Sequence, residues 1–566
     1  MDKKWWKEAI GYQIYIRSFK DSNNDGIGDL GGIIEKLDYL SLLGVNLIWV
    51  CPFYQSPMDD NGYDVANFYQ VASEYGNNED LIDLINDAHQ RGIKIIIDLI
   101  LNHTSDEHPW FQESKKSINN PYRDYYIWQK PRYINGERKE PTNWASFFGG
   151  SCWKYDETTN EYYMKIFSDK MPDLNWENPK VIDEFVAIIT YYCELGVDGF
   201  RIDAISHLAK AEFIDSNFPS EEPYVLDYWK FSNQPKLHDY LRLLNEKVFS
   251  KYDIVLVGEA GGGAGIDDAI KFIKPENKEV NMVFNFDHNW CNNTWEAKKQ
   301  EDLVTDLPRL KEMFFKWQTG LFPHGWNAIY WLNHDQPRVL SHYGDPINYR
   351  EESAKMLATA LYFMWGTPFI YNGEEIGMIN PNFQSINDFR DKPVINQYYK
   401  CVNEKNESPE DCIKRLAISS RDSSRSIMQW DSSLHGGFSK VQPWNIIGDY
   451  HLINVEEQIN RSDSIFKYYQ KIIDLRKNGT YKDVIVYGSY EPVYYEHPQI
   501  YGYMRMYGKQ SILVLCNFTD QKAKIENFSY SIKNIILSNY NKNNFEEFLP
   551  YEAVVLEIDI KENIKI

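Results

Sequence analysis

Apolar residues in this chain gather into eight short, β-rich runs at 12–16, 45–50, 93–101, 197–202, 254–257, 282–286, 328–332 and 368–371, with helix-patterned segments between them. Strand-length apolar runs that alternate with helical stretches predict parallel strands buried on both faces. Eight of them predict a (β/α)8 TIM barrel. The first helix is expected over 33–43, where Ile33, Leu37 and Leu40 share a face and Gly44 supplies the stop. About ninety-five residues separate the third and fourth runs. That interval is several times an ordinary connection and rich in Trp, Tyr, Pro and Gly, so it predicts an inserted subdomain. Beyond about residue 480 the pattern changes to alternating segments at 484–487, 500–506, 511–517 and 553–558, which read as antiparallel strands. The expected organisation is α/β: a barrel over 1–102 and 175–479, an inserted domain B over 103–174, and a C-terminal antiparallel β-sandwich over 480–566.

The 566 residues suffice for one large domain with smaller ones attached. With 60 Lys plus Arg against 82 Asp plus Glu, the formal net charge of -22 disfavours nucleic acid and anionic membranes as partners, and a neutral ligand fits better. Aromatic residues reach 15%, enough to fill a large core or to line a sugar-binding cleft. The charged N-terminus has no apolar signal core and no run of 18 apolar residues occurs, so a cytoplasmic protein with no membrane partner, monomeric or homodimeric, is expected. The seven cysteines are scattered, odd in number and without CxxC spacing, which predicts reduced thiols rather than disulfides or a zinc site.

In a barrel the active site forms at the C-terminal ends of the strands, so polar residues that follow apolar runs carry the chemistry. Four runs end this way: in Asn102-His103, Arg201-Ile202-Asp203, Gly258-Glu259 and Asn333-His334-Asp335. Cleaving a glycosidic bond with retention needs one carboxylate to attack the anomeric carbon and a second to protonate the leaving oxygen, about 5–5.5 Å away. Arg201 lies two residues before Asp203 on one strand, so both side chains face the same way and the guanidinium would hold that carboxylate ionised. Asp203 is therefore the expected nucleophile, and Glu259 is left for acid/base work.

The segments at 98–103, GFRID at 199–203, Glu259 and NHD at 333–335 resemble family 13 of the glycoside hydrolases, the α-amylase family. YQIYIRSFKDSNNDGIGDL at 12–30, SPMDDNGYD at 56–64, NHTSDEH at 102–108, HDQPRV at 334–339, GEEIGM at 373–378 and MQWD at 428–431 resemble its oligo-1,6-glucosidase group. The resemblance implies a barrel, a B domain after the third strand and a C-terminal β domain. It further implies that Asp335 binds sugar hydroxyls and stabilises the transition state, that His103 and His334 bond the sugar, that Tyr63 lies beneath its ring, and that Phe167 forms a second wall. Asp64 and Arg421 would close the pocket on the terminal glucose and make the enzyme exo-acting. The expected activity is release of glucose from the non-reducing end of short α-glucosides of the maltose, isomalto-oligosaccharide or sucrose type. The alternatives are a sucrose isomerase or transglucosylase, which intercepts the same covalent intermediate with a sugar hydroxyl, and a trehalose-6-phosphate hydrolase. Against the last, the segment 285–290 has no Lys or Arg to meet a phosphate. Non-catalytic transporter subunits of the family lose the carboxylates, which this chain keeps.

Residues 21–29 place oxygen-bearing side chains at alternate positions, the spacing a hard cation takes from a tight loop, although the loop is no EF-hand. The resemblance implies one structural Ca2+ held by Asp21, Asn23, Asp25, the Ile27 carbonyl and Asp29; the other reading is a metal-free Asx-rich turn. Three positions depart from the group's pattern. Ile16 stands where relatives have Pro. Ala204 follows the nucleophile where α-1,6-preferring relatives tend to carry Val, which implies a preference for α-1,4 bonds or sucrose. Ala260 to Gly263 replace bulkier residues and are expected to leave a roomier or more mobile +1 subsite.

Overall fold

The computed structural model describes residues 2–526, 528–541 and 544–559, and each of the eight apolar runs overlaps a strand. These are β1 (Gly11–Ile14), β2 (Leu47–Val50), β3 (Lys94–Ile100), β4 (Gly199–Asp203), β5 (Val255–Glu259), β6 (Met282–Phe284), β7 (Ala328–Ile329) and β8 (Thr367–Tyr371). Their order in one sheet is β6-β5-β4-β3-β2-β1-β8-β7, which is chain order around a ring cut between β6 and β7. The expected barrel is thus present. Its strands are apolar throughout because both faces are covered: Ile95, Ile96, Ile97, Leu99 and Ile100 of β3 are all sealed from solvent.

The first helix differs from expectation. It is two helices, α1 (Leu30–Glu35) and α2 (Leu37–Leu43), broken at Lys36, whose φ of -107° and ψ of 5° leave the helical region. Lys36 N–H bonds the carbonyls of Ile33 and Ile34, so the last turn of α1 tightens before α2 begins. The apolar face survives the break, with Ile33, Leu37 and Leu40 fully buried. Gly44 ends α2 at φ 103°, a conformation that favours glycine.

Contacts divide the chain into two compact units. One comprises Trp49–Asn86 and Lys94–Asn285. Within it β3 pairs with β4 and β4 with β5, in a register that sets Arg201 beside Asp98 on one side and Val257 on the other. The inserted stretch carries a three-stranded sheet of Trp128–Gln129, Glu161–Met164 and Trp153–Asp156 and a hairpin of Arg132–Ile134 and Glu137–Lys139. Its ends are tied together: Leu174 N–H donates to the Asn102 carbonyl at 2.9 Å, and Thr104 N–H to that of Pro172 at 3.3 Å. A cluster including Trp144, Trp153, Met164 and Phe231 forms its core.

The other unit comprises Met1–Ile48, Asp87–Ile93 and Phe286–Ile566. In it β1 pairs with β8 and β8 with β7. Its C-terminal part is an antiparallel sheet of β9 (Ser489–Val493), β10 (Ile500–Tyr507), β11 (Gln510–Asn517), β12 (Ser531–Ser538) and β13 (Ala553–Asp559), ordered β9-β10-β11-β13-β12. Residues 484–487, expected as a strand, belong to a helix, Lys482–Tyr487. All four are buried, so nothing selects the alternating pattern of a strand, and local bonds such as Ile485 N–H to the Tyr481 carbonyl at 3.0 Å override the β propensity of Val and Ile. Residues 560–566 of the expected C-terminal domain lie outside the described residues.

Candidate active site

In the unit built on β3 to β5, three carboxylates converge on one guanidinium. Arg201 Nη1 donates to Asp98 Oδ1 at 2.6 Å and to Asp203 Oδ1 at 2.7 Å, while Nη2 donates to Glu259 Oε2. The register produces this: Arg201 sits opposite Asp98, and Asp203 and Glu259 are the last residues of β4 and β5. Trp49 Nε1 holds the far oxygen of Asp98 at 2.7 Å. Burial pushes the Asp203 carboxyl up from its ordinary value, and the charge of Arg201 pulls it back. Sequence reasoning gave Arg201 to Asp203 alone; its bonds to Asp98 and Glu259 could have been found only by reading the strand register.

His103 is buried, its ring edge-on to Phe167 with centroids 5.2 Å apart. Desolvation lowers its pKa, so it is held neutral, and its Nε2 makes no hydrogen bond among the described residues. Phe167 stacks on Phe147 at 5.6 Å. The Tyr63 ring lies 5.8 Å from the Arg201 guanidinium. Asp64 is fully buried and accepts from Asp59 N–H at 2.7 Å, Asp60 N–H at 3.0 Å and Ser56 Oγ at 3.0 Å. Burial raises its carboxyl to about 6 despite those bonds. Tyr63, Asp64, His103, Phe167, Arg201, Asp203 and Glu259 all belong to this unit.

The glycine run after Glu259 gains no space at two of its positions. Gly262 and Gly263 have φ of 60° and 72°, and a Cβ at each would lie 2.4 Å from Ser232 Oγ and 2.7 Å from the Tyr228 ring. The volume a side chain would take is already filled, so these glycines serve backbone geometry and close packing.

The second unit holds its own cluster around Asp335. Arg421 Nη1 and Arg425 Nη2 both donate to Asp335 Oδ1, at 3.0 and 2.8 Å. Arg421 also pairs with Asp391 at 2.7 Å. His334 Nε2 lies 3.3 Å from Asp335 Oδ2. With the Gln13 amide donating to His334 Nδ1 at 2.9 Å, the ring proton belongs on Nε2, where it faces that carboxylate. Tyr15 stacks parallel to His334, centroids 6.0 Å apart. Ile16, the departure from Pro, is buried and opens a 3-10 turn to Ser18. Sequence reasoning found His334, Asp335 and Arg421 and missed Gln13, Asp391 and Arg425, the last visible only as a second Arg in the RDSSR segment.

In the loop at 21–29, Asp21 accepts from Asn24 and Gly26 N–H, Asn23 from Asp25, Asp25 from Ile27, and Asp29 from Ser22 and Gly32. Every candidate donor is a hard oxygen, the class Ca2+ selects, and these turns fold the loop on itself. Its carboxylates are not drawn tightly together. Among the described residues, the group of three or more His, Cys, Asp or Glu side chains within 4.8 Å is Cys401, Glu407 and Cys412. There Arg415 already bonds Glu407 at 3.0 and 2.8 Å and the Cys401 sulfur at 3.3 Å, so a guanidinium occupies the cation's place.

The family model for the α-amylase catalytic domain matches residues 13–488. The oligo-1,6-glucosidase of Bacillus cereus is 46% identical over 566 residues, covering 99% of this chain and all of that one. Among solved structures, the trehalose-6-phosphate hydrolase of Bacillus licheniformis matches with a TM-score of 0.91 at 40% identity, over 99% of this chain and 100% of that one. The isomaltulose synthase SmuA of Protaminobacter rubrum gives 0.90 at 36%, over 99% and 100%.

Proposed function

Since this chain belongs to the α-amylase family of glycoside hydrolases, we propose that it is a retaining, exo-acting α-glucosidase that releases glucose from the non-reducing ends of short α-glucosides. The observation that carries the reading is the Arg201 cluster. One guanidinium facing Asp98, Asp203 and Glu259 leaves two negative charges unbalanced when all three carboxylates are ionised, so the cluster favours keeping one proton. Glu259, the most exposed of the three, is the one best placed to exchange that proton with water, which suits it to the acid/base role.

In the first step Asp203 attacks the anomeric carbon, the glycosidic bond breaks, and the Glu259 proton goes to the leaving oxygen. In the second, Glu259 takes a proton from water, whose oxygen displaces Asp203 and releases glucose with retained configuration. The neutral His103, with a free Nε2, would bond a sugar hydroxyl, and Tyr63 and Phe167 would wall the ring. Asp335, with His334 donating beside it, would take hydroxyls and stabilise the oxocarbenium-like transition state. Asp64 and Arg421 would bind the terminal glucose.

The relatives' names point to α-1,6 bonds, whereas the small Ala204 after the nucleophile favours α-1,4 bonds or sucrose. The test is to incubate wild type and Asp203→Ala with maltose, isomaltose, sucrose, trehalose and trehalose 6-phosphate and separate every product. Free glucose from at least one, lost in the variant, is expected; a rearranged disaccharide from sucrose would make the enzyme an isomerase, and silence on all five would overturn the reading.

One structural Ca2+ in the 21–29 loop is also proposed, held by Asp21, Asn23, Asp25, the Ile27 carbonyl and Asp29. It would brace the loop rather than enter the chemistry. Metal analysis should return one Ca2+ per chain in wild type and none in Asp25→Ala; an equal content in both would refute the assignment. Among the described residues no helix is long and apolar enough to cross a membrane. All seven cysteines are buried free thiols, which supports work in a reducing cytoplasm.

A further inference from the structure

A cavity of about 400 Å3 lies in the unit built on β3 to β5, and none of the residues assigned to the candidate site lines it. It sits between the inserted segment at 124–129, the loop at 175–177, the chain after β4 at 208–213, and the start of the helix Leu237–Lys247. Its volume falls within the range of small-molecule sites.

The walls are aromatic and held in place. Trp128 stacks on Phe111 with ring planes 2° apart, carries the Arg123 guanidinium 3.5 Å over its ring and donates its Nε1–H to Ser114 Oγ at 2.9 Å. Trp176 stacks on Phe185 and donates to the Leu101 carbonyl at 2.8 Å. Lys210 lends its aliphatic stem to the lining while its ammonium bonds Asn102 Oδ1 at 2.9 Å and pairs with Asp173 at 2.7 Å. That charge is satisfied and unavailable to a ligand. The cavity therefore exists before anything binds, and its aromatic surface costs little to order.

The polar side chains around it are differently placed. Asp124 and Glu212, both exposed, and the half-buried Gln129 line the cavity, and their side chains form no hydrogen bond or ion pair among the described residues. Lys236 and Glu177 pair with each other at its edge. The lining thus offers rigid aromatic rings and uncommitted acceptors and donors, with no unpaired cation to call in an anion. Rings already packed on their faces present a fixed apolar wall to the C–H groups of a pyranose, and carboxylates and amides take its hydroxyls. From this we infer that the cavity is a second, non-catalytic binding site for a neutral sugar of the glucose or glucosyl-disaccharide class. The inference does not depend on which bond the proposed active site cuts.

The test is equilibrium dialysis of the full-length enzyme against radiolabelled glucose and maltose, with the proposed active site saturated by 1-deoxynojirimycin. Sugar binding of about one equivalent should persist under the inhibitor. It should be lost in Ala211→Trp, which fills the cavity, and weakened about tenfold in Gln129→Ala, the order expected for one lost hydrogen bond. Both variants should hydrolyse substrate at the wild-type rate. Loss of all sugar binding under the inhibitor, or binding unchanged in both variants, would overturn the inference. Gln129→Ala removes only a partly exposed side chain, so it remains informative should Ala211→Trp fail to fold. Failure of the glucosidase reading would show separately, as a wild type that turns over none of the five substrates above.

Discussion

Arg201 and Asp98 stand opposite each other on β4 and β3 and are joined at 2.6 Å, with side chains 1% and 0% exposed. This pair, rather than any carboxylate alone, fixes where the guanidinium reaches Asp203 and Glu259. Removing one partner of a buried ion pair leaves an uncompensated charge, at a cost of about 3–5 kcal/mol. Asp98→Ala is expected to lower the thermal midpoint accordingly and to reduce kcat, because Arg201 loses the partner that aims it. A wild-type midpoint and kcat in this variant would remove the pair from the account.

Glu374 supplies a pH dependence. It is buried, accepts from the hydroxyls of Tyr362 at 2.5 Å and Tyr469 at 2.8 Å, and burial raises its carboxyl from 4.5 to about 7. The folded state therefore holds this proton more tightly than the unfolded state does. Its contribution is fully present below pH 4.5 and is lost as the pH rises through about 7. Glu374→Gln keeps an acceptor for both tyrosines and removes the titration. It should flatten the fall in unfolding midpoint between about pH 5 and about pH 8, a change worth roughly 3 kcal/mol. An identical pH profile in the variant would show that Glu374 is not the titrating group.

Gly262 tests the reading of the glycine run as packed rather than roomy. At φ 60°, with Ser232 Oγ 2.4 Å from where a Cβ would stand, Gly262→Ala meets both a strained backbone and a neighbour. The backbone alone costs about 1–2 kcal/mol. Stability should fall by at least that much, and Ser232→Gly in the same chain should recover only the part due to contact. A Gly262→Ala variant as stable as wild type would restore the idea of open space beside Glu259.

The barrel was legible because all eight strands are buried on both faces, so each is a plain apolar run, and because strand ends in a barrel carry function. The helix at 482–487 was not, since Val484, Ile485 and Val486 have strand-like composition and only their complete burial in a helical turn decides otherwise. The break at Lys36 was hidden for a similar reason: the apolar face runs on through it. In the candidate site, residues that end strands were found from position alone. Asp98, placed by register, and Gln13, Asp391 and Arg425, placed by distant segments, were not, because no local pattern encodes which side chains the fold brings to Arg201, His334 or Asp335. The glycine run misled for the opposite reason, since small residues suggest space in a sequence whether or not a neighbour fills it.

The central claim is that Asp203 forms a covalent glucosyl ester. The most direct measurement is peptide-level mass spectrometry after brief incubation with 5-fluoro-α-D-glucosyl fluoride, which slows release of the intermediate. The account predicts a fluoroglucosyl adduct on the peptide containing Asp203, absent from Asp203→Ala. An adduct on another carboxylate, or none in a wild type that hydrolyses its substrate with inversion, would contradict it.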